Sequence, residues 1–204
     1  MLEKYFNYEK IRAIPIVGDI FRIANAYVYE GAVENHVSIA PISLWKQKIG
    51  KKLLYALILT VILSIICWLF LDVQWIASDS IISVFPSLLG FGIGVFALLF
   101  ILPNRLYQLL DREKENGNIT FGHEILAVDM GYPLLVFAVI LSWAGINKFI
   151  DIDVFNFISK WMFFYGMSMV LELISFLFNV SILIMNLKIK KLTCSGWFFV
   201  ICNL

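Results

Sequence analysis

Residues 161–187, WMFFYGMSMVLELISFLFNVSILIMNL, form an apolar run with a single acid, Glu172, near its middle. At a rise of about 1.5 Å per residue, a helix of this length crosses the roughly 30 Å hydrocarbon core of a bilayer. Tyr165, Ser168, Glu172, Ser175, Asn179 and Asn186 recur at intervals of three, four and seven residues. Such intervals place side chains on one side of a helix, as in the a and d positions of a heptad. The remaining Phe, Leu, Ile, Met and Val suit lipid. The stretch therefore reads as a membrane span with a polar seam, and a seam needs something to face.

The rest of the chain agrees with that reading. It has 204 residues, 61% of them hydrophobic and only 15% charged, against about 25% charged in a soluble domain. Mean hydropathy is +0.86. The net charge of +1 gives no bulk attraction to nucleic acid, so no direct nucleic-acid partner is expected. The cysteines are Cys67, Cys194 and Cys202, with no CxxC and no Cys/His cluster, which supports neither a disulfide framework nor a zinc site. The start, MLEKYFNYEKIRAIPIVGD, lacks a compact apolar segment, so no cleavable signal peptide is expected.

Outward from 161–187, three further apolar runs fall at about 53–71, 81–102 and 125–146. The expected fold is an all-α membrane protein of four transmembrane helices, preceded by an N-terminal amphipathic helix, and oligomeric. Residues 1–52 form an N-terminal region, 53–187 the membrane domain, and 188–204 an apolar tail too short to span. In the N-terminal region Val17, Ile20, Phe21, Ala24, Tyr27 and Val28 recur at helical spacing, with Asp19, Arg22, Asn25 and Glu30 elsewhere on the wheel. That helix would lie on the membrane surface or pack under the bundle. Trp45, Lys46, Lys48, Lys51 and Lys52 make an aromatic and basic collar before the first span. Pro86 would kink the second span and Pro103 end it. The polar segment 103–124 reads as the largest connecting loop, with an apolar strip of Leu106, Leu109 and Leu110.

Basic residues set the orientation. Eight of the sixteen lie in 1–52, three in 103–124 and three in 188–204, leaving Lys148 and Lys160 on the other side. By the positive-inside rule both termini are cytoplasmic, and a bacterial inner membrane is the expected location.

Each span carries a stripe of small or polar residues. The second has Ser83, Ser87, Gly90, Gly94 and Ala97, including a Gly-x-x-x-Gly that permits close backbone approach. The third has Gly131, Ala138, Ser142 and Gly145, and the first has Ala56, Thr60, Ser64 and Cys67. Ordinary packing inside one bundle is the simpler account of any single stripe. Four spans make only a thin interior, however, so the second or fourth span is expected at an interface between copies.

Glu172 is the sharpest single residue. No basic residue lies at its depth in any predicted span, and Lys160 is roughly 18 Å away along the helix on another face. Such a carboxylate is protonated, bonded to Ser, Thr or Tyr hydroxyls, or wetted by a pore. A protonated glutamate holding helices together and a functional acid are about equally good readings. Asp129, near the start of the third span, is a weaker candidate. Catalytic patterns are missing: His36 and His123 are isolated, and no Ser-His-Asp arrangement, HExxH or Walker loop occurs. No enzyme activity, cofactor or metal is expected.

In length, in four spans with cytoplasmic termini and in the absence of an enzymatic motif, the chain resembles the membrane subunit of the Kiwa antiphage defence system. The run Phe85-Pro86-Ser87-Leu88-Leu89-Gly90-Phe91-Gly92, the charged segment 104–124 and the Glu172 helix carry that resemblance. It implies an oligomeric inner-membrane sensor that passes an envelope disturbance to a cytoplasmic effector protein. Arg105, Arg112, Lys114, Lys188, Lys190 and Lys191 are then the candidate contacts, by position. Pro86 and Leu88-Leu89-Gly90-Phe91, followed by Asn104 and Tyr107, are also similar to the pore-helix region of bestrophin-like anion channels. Here the Gly-to-Asn interval is longer and the basic residue after the phenylalanine is missing. The alternative expectation is thus an ion-conducting pore or membrane-disrupting effector, lined by the seam on the fourth span.

Overall fold

The computed structural model describes residues 8–32, 38–71, 75–99, 101, 104–115, 117, 124–150 and 152–201. All regular structure among them is helical. Two short N-terminal helices, α1 (Tyr8–Arg12) and α2 (Val17–Val28), precede α3 (Ile42–Phe70). Then follow α4 (Ala77–Leu99), α5 (Asn104–Glu115), α6 (Glu124–Phe149) and α7 (Asp153–Ile201). Among the described residues four helices are long and apolar enough to cross a membrane: α3, α4, α6 and the Asp153–Ile182 part of α7.

Neighbouring side chains give the helix directions. Asp79 pairs with Lys148, and the Phe85 ring meets Phe137 edge-on with centroids 5.6 Å apart, so α4 and α6 are antiparallel. α6 and α7 form a hairpin closed by buried Asn147, whose Nδ2 donates to Ser159 Oγ and Asn156 Oδ1, both at 3.0 Å. Phe85 packs on Gly166, and Gly92 on Leu134 and Leu173, which sets α4 parallel to α7. A Cβ at Gly166 would collide with the Phe85 ring, so glycine is what lets these two helices approach. α3 packs on α7: the Trp161 indole N–H donates to the Leu53 carbonyl at 2.9 Å, and Ala56 and Thr60 are buried there. Phe85, Met130, Phe137, Ile140 and Met169 are fully enclosed at the centre.

The N-terminal segment joins this core. α2 lies along α6 and buries Ala24, Asn25, Tyr27 and Val28, while Asp19 and Arg22 stay exposed. Asn25 pins the chain that follows: its Nδ2 donates to the Ser38 carbonyl at 3.0 Å, and the Ala40 N–H donates to its Oδ1 at 2.9 Å.

Three expectations need correction. Residues 103–124 are not one loop, because Asn104–Glu115 is helical. Leu106, Leu109 and Leu110 have the spacing of a helix face, and no Gly or Pro interrupts them before Gly117. The helix that carries the fourth apolar run starts at Asp153, ahead of 161, since 153–160 contains no Gly or Pro and opens on an acid that suits a first turn. The apolar tail is not a separate segment, for α7 continues through it to Ile201. Pro86 lies inside α4 without interrupting it. His36, His123 and Pro103 fall outside the described residues.

Candidate functional site

The most concentrated chemistry lies where α2, α3, α6 and α7 meet. Glu172 has a cationic partner after all. Lys52 Nζ donates to Glu172 Oε1 and Oε2, each at 2.6 Å, and also to the Tyr27 hydroxyl. The Tyr27 hydroxyl in turn donates to Glu172 Oε1. The expectation of no basic neighbour fails because Lys52, assigned to the collar, carries its ammonium on a four-carbon stem that reaches well beyond its own helical turn. Of the three outcomes open to the carboxylate, bonding to a tyrosine hydroxyl is the one observed, with an ammonium added.

The surroundings hold this triad in place. The Tyr27 ring stacks on Tyr132, with centroids 4.1 Å apart and planes 11° from parallel. Lys52 Nζ also sits 5.1 Å from the Tyr27 ring centroid, a cation–π geometry. Burial, and then the hydrogen bond to Glu172 and its negative charge, raise the Tyr27 phenol above its ordinary value, so it remains a donor at neutral pH. Side-chain exposures of 31% for Lys52 and 27% for Glu172 mark the ion pair as partly buried. Such a pair contributes modestly when intact. Removing one partner is costly, because the other charge is left poorly solvated. Lys48 pairs with Glu30 nearby, and Asp129 lies within electrostatic reach of Glu172, Lys48, Glu30 and Lys52.

The rest of the seam on α7 does not stay together. Tyr165 is buried and shares a 2.7 Å hydrogen bond with the Tyr132 hydroxyl. Ser168 is half-buried and donates to the Tyr165 carbonyl of its own helix at 2.7 Å. Ser175 and Asn179 are exposed on the outside of the chain, and the side chain of Asn186 lies outside the described residues. The inward stripe of α7 is Tyr165, Met169 and Leu173, rotated from the seam by about one residue. On α4 every member of the small-residue stripe is exposed: Ser83, Ser87, Gly90, Gly94 and Ala97. Gly90 and Gly94 have open space where a Cβ would stand.

Among the positions assigned to a partner surface, Arg112 and Lys114 are exposed on α5, and Lys114 Nζ is 3.8 Å from Glu124. The side chains of Arg105, Lys188, Lys190 and Lys191 lie outside the described residues, although their backbones belong to α5 and α7. No group of three His, Cys, Asp or Glu side chains suited to a metal ion gathers among the described residues.

Sequence reasoning missed Tyr27 and Lys52 as members of the site. Tyr27 sat on the apolar stripe of α2, and a tyrosine there carries the same signal as a phenylalanine. The only pointer was that an acid inside a span requires a partner, and Lys52, like Lys160 and Lys188, directly adjoins a predicted span.

Fold and site together define a class: a helical protein with four helices fit to cross a membrane, and an N-terminal segment fastened to them by an ion-paired tyrosine. No protein family, curated protein or solved structure matches the chain.

Proposed function

We propose that this chain is a non-enzymatic, oligomeric sensor or scaffold of the bacterial inner membrane, with both termini cytoplasmic. It reports membrane perturbation to a cytoplasmic effector protein, in antiphage defence as the resemblance to the Kiwa membrane subunit implies. The observation that carries the reading is the Lys52–Tyr27–Glu172 triad. It joins a helix embedded among the spans to the N-terminal segment, so any shift of α7 against α3 must strain or open it. A packed contact that opens under displacement converts a small movement into a signal. The N-terminal helix α2 is the amphipathic element that moves when the triad opens.

Copies associate through the outward stripe of α4. Small residues facing lipid let a second helix approach closely, and this is how membrane helices gain packing energy without a hydrophobic driving force. The effector docks on the exposed cations of α5, with the lysines of 188–191 as further contacts assigned by their position in the sequence alone. The test is charge reversal, Arg105→Glu with Arg112→Glu and Lys114→Glu, in cells challenged with phage. Protection is lost while insertion and oligomer size are unchanged; protection that survives refutes this docking surface.

A second reading has its own observation. Ser175 and Asn179 are polar and exposed on a membrane-crossing helix, so copies arranged around them would enclose a wet path. Liposome flux that falls with Asn179→Leu supports a pore, and absence of flux from the purified oligomer removes it.

A further inference from the structure

A cavity of about 250 Å³ opens between α2, α3, α6 and α7. Ile20, Ala24, Ile49, Val136, Val139 and Met162 are among its walls. Two tyrosine hydroxyls and the Trp161 indole at its edge are already engaged. The Tyr132 and Tyr165 hydroxyls bond one another, and the Trp161 N–H is held by the Leu53 carbonyl. The walls are otherwise almost wholly apolar, and a cavity lined this way excludes water and accepts hydrocarbon. Trp45, Ile49 and Leu53 reach it from α3 at four-residue spacing.

The same stretch of α3 carries four lysines, and they are not equivalent. Lys48 is neutralised by Glu30 and Lys52 by Glu172. Lys46 and Lys51 are exposed, and neither has an ion pair among the described residues. Between them the helix widens to a π turn, in which the Lys51 N–H bonds the Lys46 carbonyl. That five-residue step brings residues 46 and 51 to neighbouring positions one turn apart, where an α-helix would splay them. Two unneutralised cations are thus set side by side on the helix that walls the apolar cavity.

We propose that this is a site for one anionic phospholipid, with an acyl chain in the cavity and the phosphate between Lys46 and Lys51. Anionic lipid is the occupant that matches both halves of the site, because apolar walls take the chain and paired cations take the head group. The inference depends on the membrane location and not on any signalling role or effector, so it stands or falls separately from the function proposed above.

The test is native mass spectrometry of the full chain purified in mild detergent. Phosphatidylglycerol and phosphatidylcholine of identical acyl composition are titrated in parallel. We expect phosphatidylglycerol to be retained about tenfold more strongly. The K46Q/K51Q double variant, altered only at exposed positions, should lose that preference. Val139→Trp, which fills the rim of the cavity, should lower retention of both lipids. Equal retention of the two lipids by the unaltered chain overturns the proposal, as does a preference that survives K46Q/K51Q. If Val139→Trp leaves retention unchanged, the lysines act as surface charge alone and the cavity site is refuted.

Discussion

α3 and α4 carry stripes that read alike and are used in opposite ways. Ala56 and Thr60 on α3 are buried against α7, with the Thr60 hydroxyl turned back onto the Ala56 carbonyl at 2.7 Å. Ser83, Ser87, Gly90, Gly94 and Ala97 on α4 all face outward, while α4 turns Phe85 and Gly92 to the core. Small residues permit close approach without specifying to what. On α3 the approach is made within the chain. On α4 the interior takes Ile81, Phe85 and Gly92, and the small residues of the stripe are left for another surface.

The contrast breaks most sharply from the inside. Ala56→Leu forces side-chain volume into the closed contact between α3 and α7 and should cost about 3 kcal/mol, at the upper end of overpacking effects. Thermal unfolding in detergent would show it as a markedly earlier transition. Opening the triad is the next largest change, since it fastens the same pair of helices. Glu172→Ala leaves the Lys52 ammonium and the Tyr27 hydroxyl without their acceptor and should cost about 2 kcal/mol. If Lys52→Met combined with Glu172→Leu loses less than the sum of the single changes, the pair is coupled as described; strict additivity would contradict it.

The α4 stripe should respond differently. Gly90→Leu with Gly94→Leu meets open space within the chain and should shift its own unfolding by no more than about 0.5 kcal/mol. Oligomer size in mild detergent should nonetheless fall. A large loss of chain stability with unchanged oligomer size would reverse the assignment of the two stripes.

The smallest expected effect concerns pH. Tyr27 has its phenol raised above the ordinary value near 10. Its contribution is complete below about pH 10 and is lost as pH rises toward the folded value. Unfolding temperature should therefore drop more between pH 9 and pH 11 in the unaltered chain than in Tyr27→Phe, where that step is missing; equal drops would remove Tyr27 from the triad.

The four helices long and apolar enough to cross a membrane were legible because length and hydropathy are local properties. The apolar runs at 53–71, 81–102, 125–146 and 161–187 each declare themselves without reference to another part of the chain. The site was only half legible. Glu172 stood out, since an acid in a span demands a partner, but the partners lie 120 and 145 residues away in sequence. Periodicity could not bring Tyr27 to it, because a tyrosine on an apolar face looks like core. The split of the α7 seam was hidden for a related reason. A one-residue rotation separates Tyr165, Met169 and Leu173 from Ser168, Ser175 and Asn179, and only the neighbouring helices decide which set turns inward. The helix over Asn104–Glu115 could have been read from its leucine spacing, but its polar composition drew attention instead.

The most direct test of the account is disulfide cross-linking in native membranes. Cys67, Cys194 and Cys202 are first replaced by alanine, and a single cysteine is then placed at Ser87 or, as the interior control, at Thr60. The account predicts a cross-linked dimer from Ser87→Cys under mild oxidation and none from Thr60→Cys. A chain that stays monomeric with cysteine at Ser87, and equally at Ser83 and Ala97, would contradict the claim that the outward stripe of α4 joins copies of this protein.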